Sequence, residues 1–523
     1  MNEEIMSEKK VRVRFAPSPT GPQHIGGIRT ALYNYLVAKK AGGDFVLRIE
    51  DTDSERYVPD SEEYILEALK WAGITPDEGI TSDWKIAEVP DEKNPYAPYR
   101  QSLRKTIYKV YAKQLLDSGH AYIAFDTQEE LKVLHGDKEG DFSYNAKNRK
   151  TLKNSLTLTE DEVLKLMSER YDWVIRFKMP EIDEVIEMHD EIRGDIKVHT
   201  KELDDKVLWK KADELPTYHL ANIVDDHLME ITDVIRGEEW LPSLPLHILL
   251  YRAFGWDAPR FAHLPLLLKP VEMGPGKLSK RDGEKGGFPV FPISWNSKTI
   301  KIREGYREAG YVPDAFINFL AYLGWNPGDD TEIKSKEELI QCFSLGRCQK
   351  AGARFNPKKT RWYNKEYLRQ MTSQELLDFA RPWLWLNGAA SFTNGYFLQV
   401  IEFLKDRLEF PADILKKGEV FFKDPDGIRL KDWNENEEYI NKALHFYTLL
   451  TTTLFDWNGN MKAWVDSYVE DHGGWKEGAR IMNCLRMIIS GNSKGPDMVG
   501  TLKILGRETL IHRVNLFKER YGY

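Results

Sequence analysis

Hydrophobic and charged residues alternate at the start of the chain. Every second residue from Val11 to Phe15 is apolar, which predicts a β-strand. The next twelve residues, Ala16 to Gly27, contain three prolines and three glycines and therefore predict a loop. Apolar residues then recur at helical spacing up to Lys40, and a second apolar strand follows from Phe45 to Ile49. A β-loop-α-β unit of this size predicts parallel strands in a doubly wound sheet.

The middle of the chain has a mixed pattern. Short strands are predicted for Val174 to Lys178 and for Asp195 to His199. Asn222 to Asp226 and Ile231 to Gly237 have the pattern of buried strands with polar ends. Asp141 to Ser155 is polar and rich in lysine and asparagine, which predicts a surface loop or insertion.

The pattern becomes helical from about Met371 onward. Thr372 to Glu375 resembles a capping box, which opens a helix. Apolar residues at spacings of four, three and four predict a helix with a buried stripe, formed by Ala443, Tyr447, Leu450 and Leu454. With no convincing strand here, the last third of the chain is predicted to be an all-helical unit.

Length and composition narrow the class of protein. A chain of 523 residues is too long for one hydrophobic core and predicts about three to five domains. No apolar run approaches the ~20 residues of a membrane helix, and the polar N-terminus has no secretory pattern. The three cysteines form no CxxC motif, which argues against a disulfide framework and favours the reducing cytoplasm.

The net charge of −8 argues against a surface that is basic throughout. A nucleic-acid partner would therefore need a local basic patch. Arg347 to Arg369 contains eight basic residues against the single acid Glu366. This segment is either such a patch or an ordinary solvated helix face.

Two separated segments have the chemistry of phosphate binding. His24 lies in the first glycine-containing loop, just before a predicted helix whose N-terminus attracts anions. The loop lacks the Gly-Lys-Ser/Thr of a Walker motif and is not GxGxxG. About 250 residues later, Lys277 to Arg281 reads Lys-Leu-Ser-Lys-Arg among glycines. Two lysines three residues apart can neutralise the charge that grows on a phosphoryl group during its displacement.

The two segments together resemble the His-Ile-Gly-His and Lys-Met-Ser-Lys-Ser signatures of class I aminoacyl-tRNA synthetases. The chain departs from the first signature at Gly27 and from the second at Leu278 and Arg281. Both departures are typical of the glutamyl-tRNA synthetases as a family. Further segments match that family in the right order, over roughly residues 10 to 370: Arg14 to Gly21, Arg48 to Asp53, Pro98 to Ser102, Pro216 to His227, and Ile231 to Trp240.

The resemblance implies an α/β fold, with a Rossmann-like class I catalytic domain, an inserted α+β domain that binds the acceptor stem, and an all-helical anticodon-binding domain. The implied ranges are 10–115 and 221–268 for the two catalytic halves, 116–220 for the insertion, 269–370 for a stem-contact region with the lysine loop, and 371–523 for the helical domain.

The resemblance also implies the site residues. Glutamate would be bound by Arg14, Ser18, Glu50, Tyr218, Asn222 and Arg236. Glu50 suits the ammonium group, and each arginine can form a two-pronged contact with a carboxylate. ATP would be bound by Thr20, His24, Gly26, Gly27, Glu239, Trp240, Lys277, Ser279 and Lys280. His24, Lys277 and Lys280 would be catalytic, and tRNA contacts would include Lys358, Lys359 and Arg361.

The implied reaction is the ATP-dependent activation of glutamate, followed by its transfer to the terminal adenosine of tRNA(Glu). Mg²⁺ would accompany the leaving pyrophosphate. Members of this subgroup need bound tRNA before they activate glutamate, and most are monomers. Some relatives hold a structural zinc ion with a Cys-x-Cys. Because this chain has Ala124 and Asp126 at those positions, no zinc site is expected, and the cysteines are predicted to be buried apolar residues.

The residues leave three alternative functions to be weighed against a glutamyl-tRNA synthetase. A glutaminyl-tRNA synthetase would carry Pro-Glu-Pro-Asn where this chain has Pro17 to Thr20. A glutamyl-queuosine tRNA-modifying enzyme would lack the long helical region. A non-catalytic tRNA-binding descendant would not need His24 and both lysines of the loop. The sequence also leaves open whether tRNA(Gln) is charged, and which of Arg14 and Arg236 binds the side-chain carboxylate.

Overall fold

The computed structural model describes residues 9–136, 142–297, 300–386, 391–427, 437–452, 456–457 and 459–523. The chain divides into two compact units. The first contains Met1–Ala309 and Pro313–Lys359, and the second contains Gly310–Val312 and Thr360–Tyr523.

The first unit combines strands and helices. Its strands are β1 (Arg12–Phe15), β2 (Asp44–Leu47), β3 (Ala121–Ala124), β4 (Val174–Phe177), β5 (Val185–Asp190), β6 (Gly194–His199), β7 (Val207–Lys210), β8 (Leu215–Pro216), β9 (Asp233–Gly237), β10 (Arg260–Leu264), β11 (Leu267–Leu268), β12 (Trp295–Ser297), β13 (Ile300–Arg303) and β14 (Ala353–Arg354). Its helices are α1 (Ile25–Lys40), α2 (Ser61–Trp71), α3 (Lys105–Asp117), α4 (Gln128–His135), α5 (Glu160–Glu169), α6 (Tyr218–Leu228), α7 (Leu244–Phe254), α8 (Asp282–Gly286), α9 (Pro313–Ala321) and α10 (Lys336–Cys342).

The main sheet has the strand order β2-β1-β9-β10-β5-β6. β1 pairs in parallel with β2 and β9, β10 pairs in parallel with β9 and β5, and only β6 is antiparallel to its neighbour. The predicted parallel strands at the start of the chain are therefore confirmed. The helix between them begins at Ile25, so the predicted loop ends three residues too late. Parallel sheets have both faces covered, and all four residues of β1 are buried.

Burial of β1 places two arginines in the interior. Arg12 forms a two-pronged ion pair with Glu78, over 2.6 and 2.9 Å, and Arg14 binds Asp226 over 3.0 and 3.3 Å. A buried charge without a partner is strongly destabilising. The alternation of apolar and charged residues therefore marks a fully buried strand whose charges are individually paired.

The prediction of a buried strand for Asn222 to Asp226 is wrong, because these residues lie in α6. Short apolar runs do not distinguish a strand from a helix. The helical spacing brings Leu220 and Val224 together on a buried side of α6. The other predicted strands of the middle region, β4, β6 and β9, are confirmed.

A second, antiparallel sheet has the order β3-β4-β7-β8. Beside it the carboxylate of Asp205 is fully buried and accepts hydrogen bonds from Tyr122 Oη at 2.7 Å and from Arg149 at 3.1 Å. The segment from Asp141 to Ser155 was predicted to be a surface loop or insertion; Asp141 lies outside the described residues, and within the remainder Arg149 and Asn154 are buried, so this part is not a plain surface loop. Among the described residues, no three or more His, Cys, Asp or Glu side chains are grouped so that they could hold a metal ion.

The second unit is helical, as predicted. Helix α11 (Pro357–Gln370) crosses the division between the units, and the helices after it are α12 (Ser373–Leu386), α13 (Asn394–Leu404), α14 (Asp413–Lys417), α15 (Glu419–Phe422), α16 (Glu437–Thr451), α17 (Met461–Asp471), α18 (Gly474–Ser490) and α19 (Met498–Tyr521). No strand occurs in the described part of the chain after residue 371.

Details of the helical prediction are also confirmed. Thr372 and Glu375 form the reciprocal capping bonds at the start of α12. Ala443, Tyr447 and Leu450 are buried along α16, whereas Leu454 lies outside the described residues.

The cysteines are free thiols. Cys348 and Cys484 are buried as predicted, but Cys342 is partly exposed at the end of α10. None of the described helices combines the length and apolar character needed to cross a membrane.

Candidate active site

His24 is the N-cap of α1. Its Nδ1 accepts a hydrogen bond from the backbone N–H of Gly26 at 3.1 Å, so the imidazole proton is on Nε2. Burial, together with the charges of Lys280 and Lys277, lowers the pKa of His24 to about 3. The ring is therefore neutral, and Nε2 is a buried donor that has no hydrogen-bond partner among the described residues.

The lysine loop lies next to this helix end. Lys280 Nζ lies 3.8 Å from the position that a Cβ atom would take at Gly21. Lys277 Nζ lies 3.1 Å from Glu239 Oε1. Backbone bonds hold the loop against β11, including Leu278 N to Leu267 O at 2.7 Å. The fold therefore brings together two motifs that are about 250 residues apart, at the positive N-terminus of α1.

Three polar residues of α6, Tyr218, Asn222 and Asp226, are four residues apart, so they lie along one face of the helix. Tyr218 Oη contacts Arg236, Asn222 Nδ2 donates to Glu50 Oε1 at 3.2 Å, and Asp226 binds Arg14. One helix face thus connects the ends of three parallel strands.

The middle of the site is a buried cluster in which Arg14 and Arg48 face the carboxylates of Asp226 and Glu50, with Asp225 at 3.6 Å from Arg48 Nε. Arg48 donates to Asp226 at 2.9 Å and to Glu50 at 3.0 Å. Burial opposes ionisation of Asp226, but Arg14 and Arg48 outweigh it and lower its pKa. For Glu50 burial wins over the same two arginines, and its pKa is raised. Glu50 is therefore the carboxylate of the cluster whose charge is least well compensated.

Arg236 on β9 is surrounded by hydrogen-bond acceptors. Its Nε donates to His263 Nε2 at 3.0 Å, and its Nη1 donates to Tyr218 Oη at 2.8 Å and to His247 Nδ1 at 3.2 Å. Its Nη2 makes a long contact of 3.5 Å with the Trp240 carbonyl. Burial and the Arg236 charge hold the pKa of His247 well below its usual range, so this histidine accepts as a neutral ring.

These bonds leave two donors for a ligand. Tyr218 Oη accepts from Arg236, so its own proton points elsewhere. Among the described residues, one N–H of Arg236 Nη2 has no hydrogen-bond partner. A hydroxyl and a guanidinium N–H on neighbouring groups suit the two oxygens of a carboxylate.

The other predicted ligand-binding residues lie around this centre. Ser18 and Thr20 are exposed on the loop after β1, and Gly26 and Gly27 lie in the first turn of α1. The ring of Trp240 packs against Tyr218, with the ring centroids 4.1 Å apart and the planes tilted by 32°. The Ser279 hydroxyl donates to Asp282 at 2.6 Å and so stabilises the lysine loop.

Four residues of this site are absent from the set predicted from the sequence: Arg48, Asp226, His247 and His263. The available signal was a polar residue inside an apolar run, as for His247 among the leucines of α7 and His263 in β10. Buried polar side chains need partners, and in this fold the partners belong to the site.

The three basic residues predicted to contact tRNA are exposed near the start of α11. Lys359 is paired with Glu332 at 2.8 Å, so its charge is partly compensated. Lys358 and Arg361 have no ion pair among the described residues.

Comparisons with known proteins identify the family of this chain. Residues 10–362 match the family described as "tRNA synthetases class I (E and Q), catalytic domain", and residues 375–517 match an "Anticodon binding domain". The chain belongs to the class I tRNA synthetases of this E and Q group. It is therefore a ligase that forms an aminoacyl-tRNA.

The similar proteins are more specific. The chain is 49% identical to the glutamate–tRNA ligase of Phocaeicola vulgatus, over 97% of this chain and 98% of that protein. It is 47% identical to the glutamate–tRNA ligase of Porphyromonas gingivalis, over 99% of this chain and 100% of that protein. A crystal structure of a glutamate tRNA ligase from Elizabethkingia meningosepticum in complex with its amino acid superimposes with a TM-score of 0.89 at 47% identity, covering 98% of this chain and 99% of that one.

Proposed function

We propose that this chain is a glutamate–tRNA ligase. In the first step the α-carboxylate of glutamate attacks the α-phosphorus of ATP, which forms glutamyl-adenylate and releases pyrophosphate. In the second step a ribose hydroxyl of the terminal adenosine of tRNA(Glu) attacks the activated carbonyl, and AMP leaves. The observation that carries the proposal is the position of Lys280 beside Gly21, at the end of α1 that His24 caps.

The part of the site that faces the phosphates of ATP acts by electrostatics. The neutral ring of His24 presents Nε2–H, while Lys277 and Lys280 supply positive charge from a loop. Groups of this kind stabilise charge that develops on phosphoryl oxygens in the transition state. No protein group needs to take a proton from the attacking carboxylate, so positioning provides most of the catalysis.

The amino-acid end recognises a dicarboxylate. Arg236 and Tyr218 supply two neighbouring donors for the side-chain carboxylate, while Arg14 binds Asp226 through Nε and Nη2 and keeps Nη1 for a second carboxylate. The pairing of Arg236 with the Tyr218 hydroxyl supports Arg236 as the residue that binds the side-chain carboxylate, and Arg14 would then contact the α-carboxylate through Nη1. Glu50 and Asn222 lie where they can bind the ammonium group, since Glu50 Oε2 accepts no hydrogen bond among the described residues.

ATP enters as its magnesium complex. Mg²⁺ is bound in proteins through one or two carboxylates together with substrate phosphates and water. The described residues contain no preformed cluster of three metal-ligating side chains. We therefore treat the ion as part of the nucleotide substrate.

Three further features follow the family resemblance. We propose that bound tRNA is required before glutamate is activated, that the enzyme acts as a monomer, and that it works in the cytoplasm, where its three free thiols stay reduced. Omission of tRNA should abolish ATP–pyrophosphate exchange, and light scattering after size-exclusion chromatography should give the mass of one chain.

A charging assay tests the function itself. The purified protein should attach labelled glutamate to tRNA(Glu) in the presence of ATP, with AMP and pyrophosphate as products. Purified tRNA(Gln) isoacceptors in the same assay measure how strictly the enzyme selects its tRNA. Failure to charge any glutamate-specific tRNA, with folded protein and active tRNA, would contradict the proposal.

A further inference from the structure

A buried chain of three polar residues ends at Arg236. Asp190 Oδ2 lies 2.6 Å from His263 Nδ1, and His263 Nε2 accepts from Arg236 Nε at 3.0 Å. Asp190 is the last residue of β5, and His263 lies on β10 directly opposite Arg236 on β9. The side chains of Asp190 and His263 are completely buried.

The direction of every proton in this chain follows from Arg236. A guanidinium has only donors, so His263 Nε2 must offer its lone pair to it. The imidazole proton is therefore on Nδ1, where it is donated to Asp190. Burial lowers the pKa of His263, and Asp190 offsets this only in part, which agrees with a neutral ring.

The carboxylate of Asp190 cannot turn to change this arrangement. Its other oxygen, Oδ1, accepts the backbone N–H groups of Ile192 at 3.0 Å, Arg193 at 2.8 Å and His263 at 3.3 Å. Three donors on one oxygen fix the plane of the carboxylate. Oδ2 is thereby reserved for the imidazole.

We propose that Asp190 and His263 are positioning residues that determine the selectivity of the site for a carboxylate over an amide, because they hold the Arg236 guanidinium in one orientation. This inference rests on the proposed function, in which Arg236 reads the glutamate side chain. A carboxylate bound to one nitrogen of an imidazole determines which tautomer is present. Here the tautomer of His263 provides Nε2 as the acceptor for Arg236 Nε, and Tyr218 and His247 accept from Arg236 Nη1. The Nη2 group of Arg236 is thereby held in one position, where it can donate to the substrate.

The substitution Asp190→Asn tests the tautomer directly. The asparagine oxygen should take the Oδ1 position, because three backbone donors converge there, which places its NH₂ group against His263 Nδ1. The imidazole proton then has to move to Nε2, where it faces the N–H of Arg236 Nε. Two donors that face each other should displace the guanidinium.

We expect D190N to lower kcat/KM for glutamate by roughly 10- to 100-fold, as for the loss of a buried charge-assisted hydrogen bond. KM for ATP should stay within about twofold, and the preference for glutamate over glutamine should narrow. A general loss of structure would instead move the KM values of both substrates. An unchanged glutamate-to-glutamine ratio in folded D190N would overturn the proposal.

The chain offers a matched control. On β6, Asp195 lies 2.7 Å from His189 Nδ1 in an exposed pair of the same chemistry, and neither residue is among the hydrogen-bond partners of Arg236 in the described part of the chain. D195N makes the same substitution in the same sheet and should leave all kinetic constants unchanged. Equal effects of D195N and D190N would show that the change in charge matters and the tautomer does not.

A second pair of variants keeps the proposal testable if D190N does not fold. In His263→Gln the amide can donate to Asp190 and still accept from Arg236, so most of the selectivity should remain. In His263→Leu neither contact is possible, and selectivity should fall as in D190N. Equal selectivity of H263Q and H263L would overturn the proposal. Failure of the wild-type protein to use glutamate would instead contradict the proposed function.

Discussion

Tyr218 Oη lies 2.8 Å from Arg236 Nη1, and this contact joins the first residue of α6 to a side chain of β9. The arginine can only donate, so the tyrosine accepts and must direct its own proton away from the arginine. A hydroxyl whose direction is set in this way is a selective donor for an acceptor oxygen.

Tyr218→Phe should therefore raise KM for glutamate. We expect an increase of about 5- to 15-fold, which corresponds to one net hydrogen bond. KM for ATP should not change. Tyr251→Phe is the matched control, because the Tyr251 hydroxyl is buried but has no hydrogen-bond partner among the described residues. Similar kinetic losses in both variants would argue against a ligand contact of Tyr218.

Arg236→Gln should narrow the discrimination between glutamate and glutamine. The two side chains have the same shape, so the site must distinguish them by charge. Loss of a charge-assisted contact of roughly 2–4 kcal/mol corresponds to about 30- to 1000-fold in selectivity.

The measurement for Arg236→Gln is the ratio of kcat/KM for the two amino acids. Arg260→Gln, an exposed arginine on the neighbouring strand, is the control. If R236Q impairs both amino acids equally and leaves the ratio at the parent value, Arg236 does not read the side chain.

Lys280→Ala should reduce adenylate formation by about 100-fold or more, because its charge acts on the transition state. The affinity for tRNA should hardly change. ATP–pyrophosphate exchange in the presence of tRNA measures the first quantity, and filter binding measures the second. Lys285→Ala removes an exposed lysine five residues away and should have no effect on catalysis. Parallel losses of tRNA binding and catalysis in K280A would make the loop a nucleic-acid contact instead.

Neutralising Lys358, Lys359 and Arg361 together should weaken tRNA binding and reduce its salt dependence. Each phosphate contact contributes close to one unit to the slope of log K against log salt concentration. We expect a reduction of about one to three units, with Lys359 contributing least because Glu332 already pairs with it. The control is Lys113→Gln, at an exposed lysine paired with Asp117. A slope equal to that of the parent would make this segment ordinary solvated surface.

His24 should make the fold sensitive to acid. Its pKa is lowered from 6.5 to about 3, so between these pH values the unfolded chain binds a proton that the folded chain does not. The contribution to stability is present above about pH 6.5 and is lost as the pH falls, by at most about 1.4 kcal/mol per pH unit.

His24→Asn tests this dependence, because asparagine keeps the helix cap but does not titrate. The free energy of unfolding should fall less steeply between pH 6.5 and pH 4 in H24N than in the parent, whereas the exposed His189→Asn should not flatten the curve. A profile of H24N that follows the parent would contradict the low pKa of His24.

Much of the fold could be predicted because local rules decide it. The parallel strands of the N-terminal unit, the helix after the glycine-containing loop, and the capping box of α12 all follow from periodicity and from residues close in sequence. Asn222 to Asp226 lies in a helix and not in the predicted strand, because a run of five residues is too short to distinguish the two and the packing of α6 against α3 and α7 decides for a helix.

The candidate site divides in the same way. The sequence alone identifies a histidine before a helix start and a pair of loop lysines as candidates for phosphate binding, since those side chains carry their chemistry wherever they are placed. Only burial beside the two lysines makes the histidine ring neutral. Only the tertiary structure decided that Asp226 would pair with Arg14, and that Asp190 and His263 would form a hydrogen-bonded chain to Arg236. Hydrogen bonds act over about 3 Å, so which donor meets which acceptor is determined by the packing of strands that are far apart in the chain.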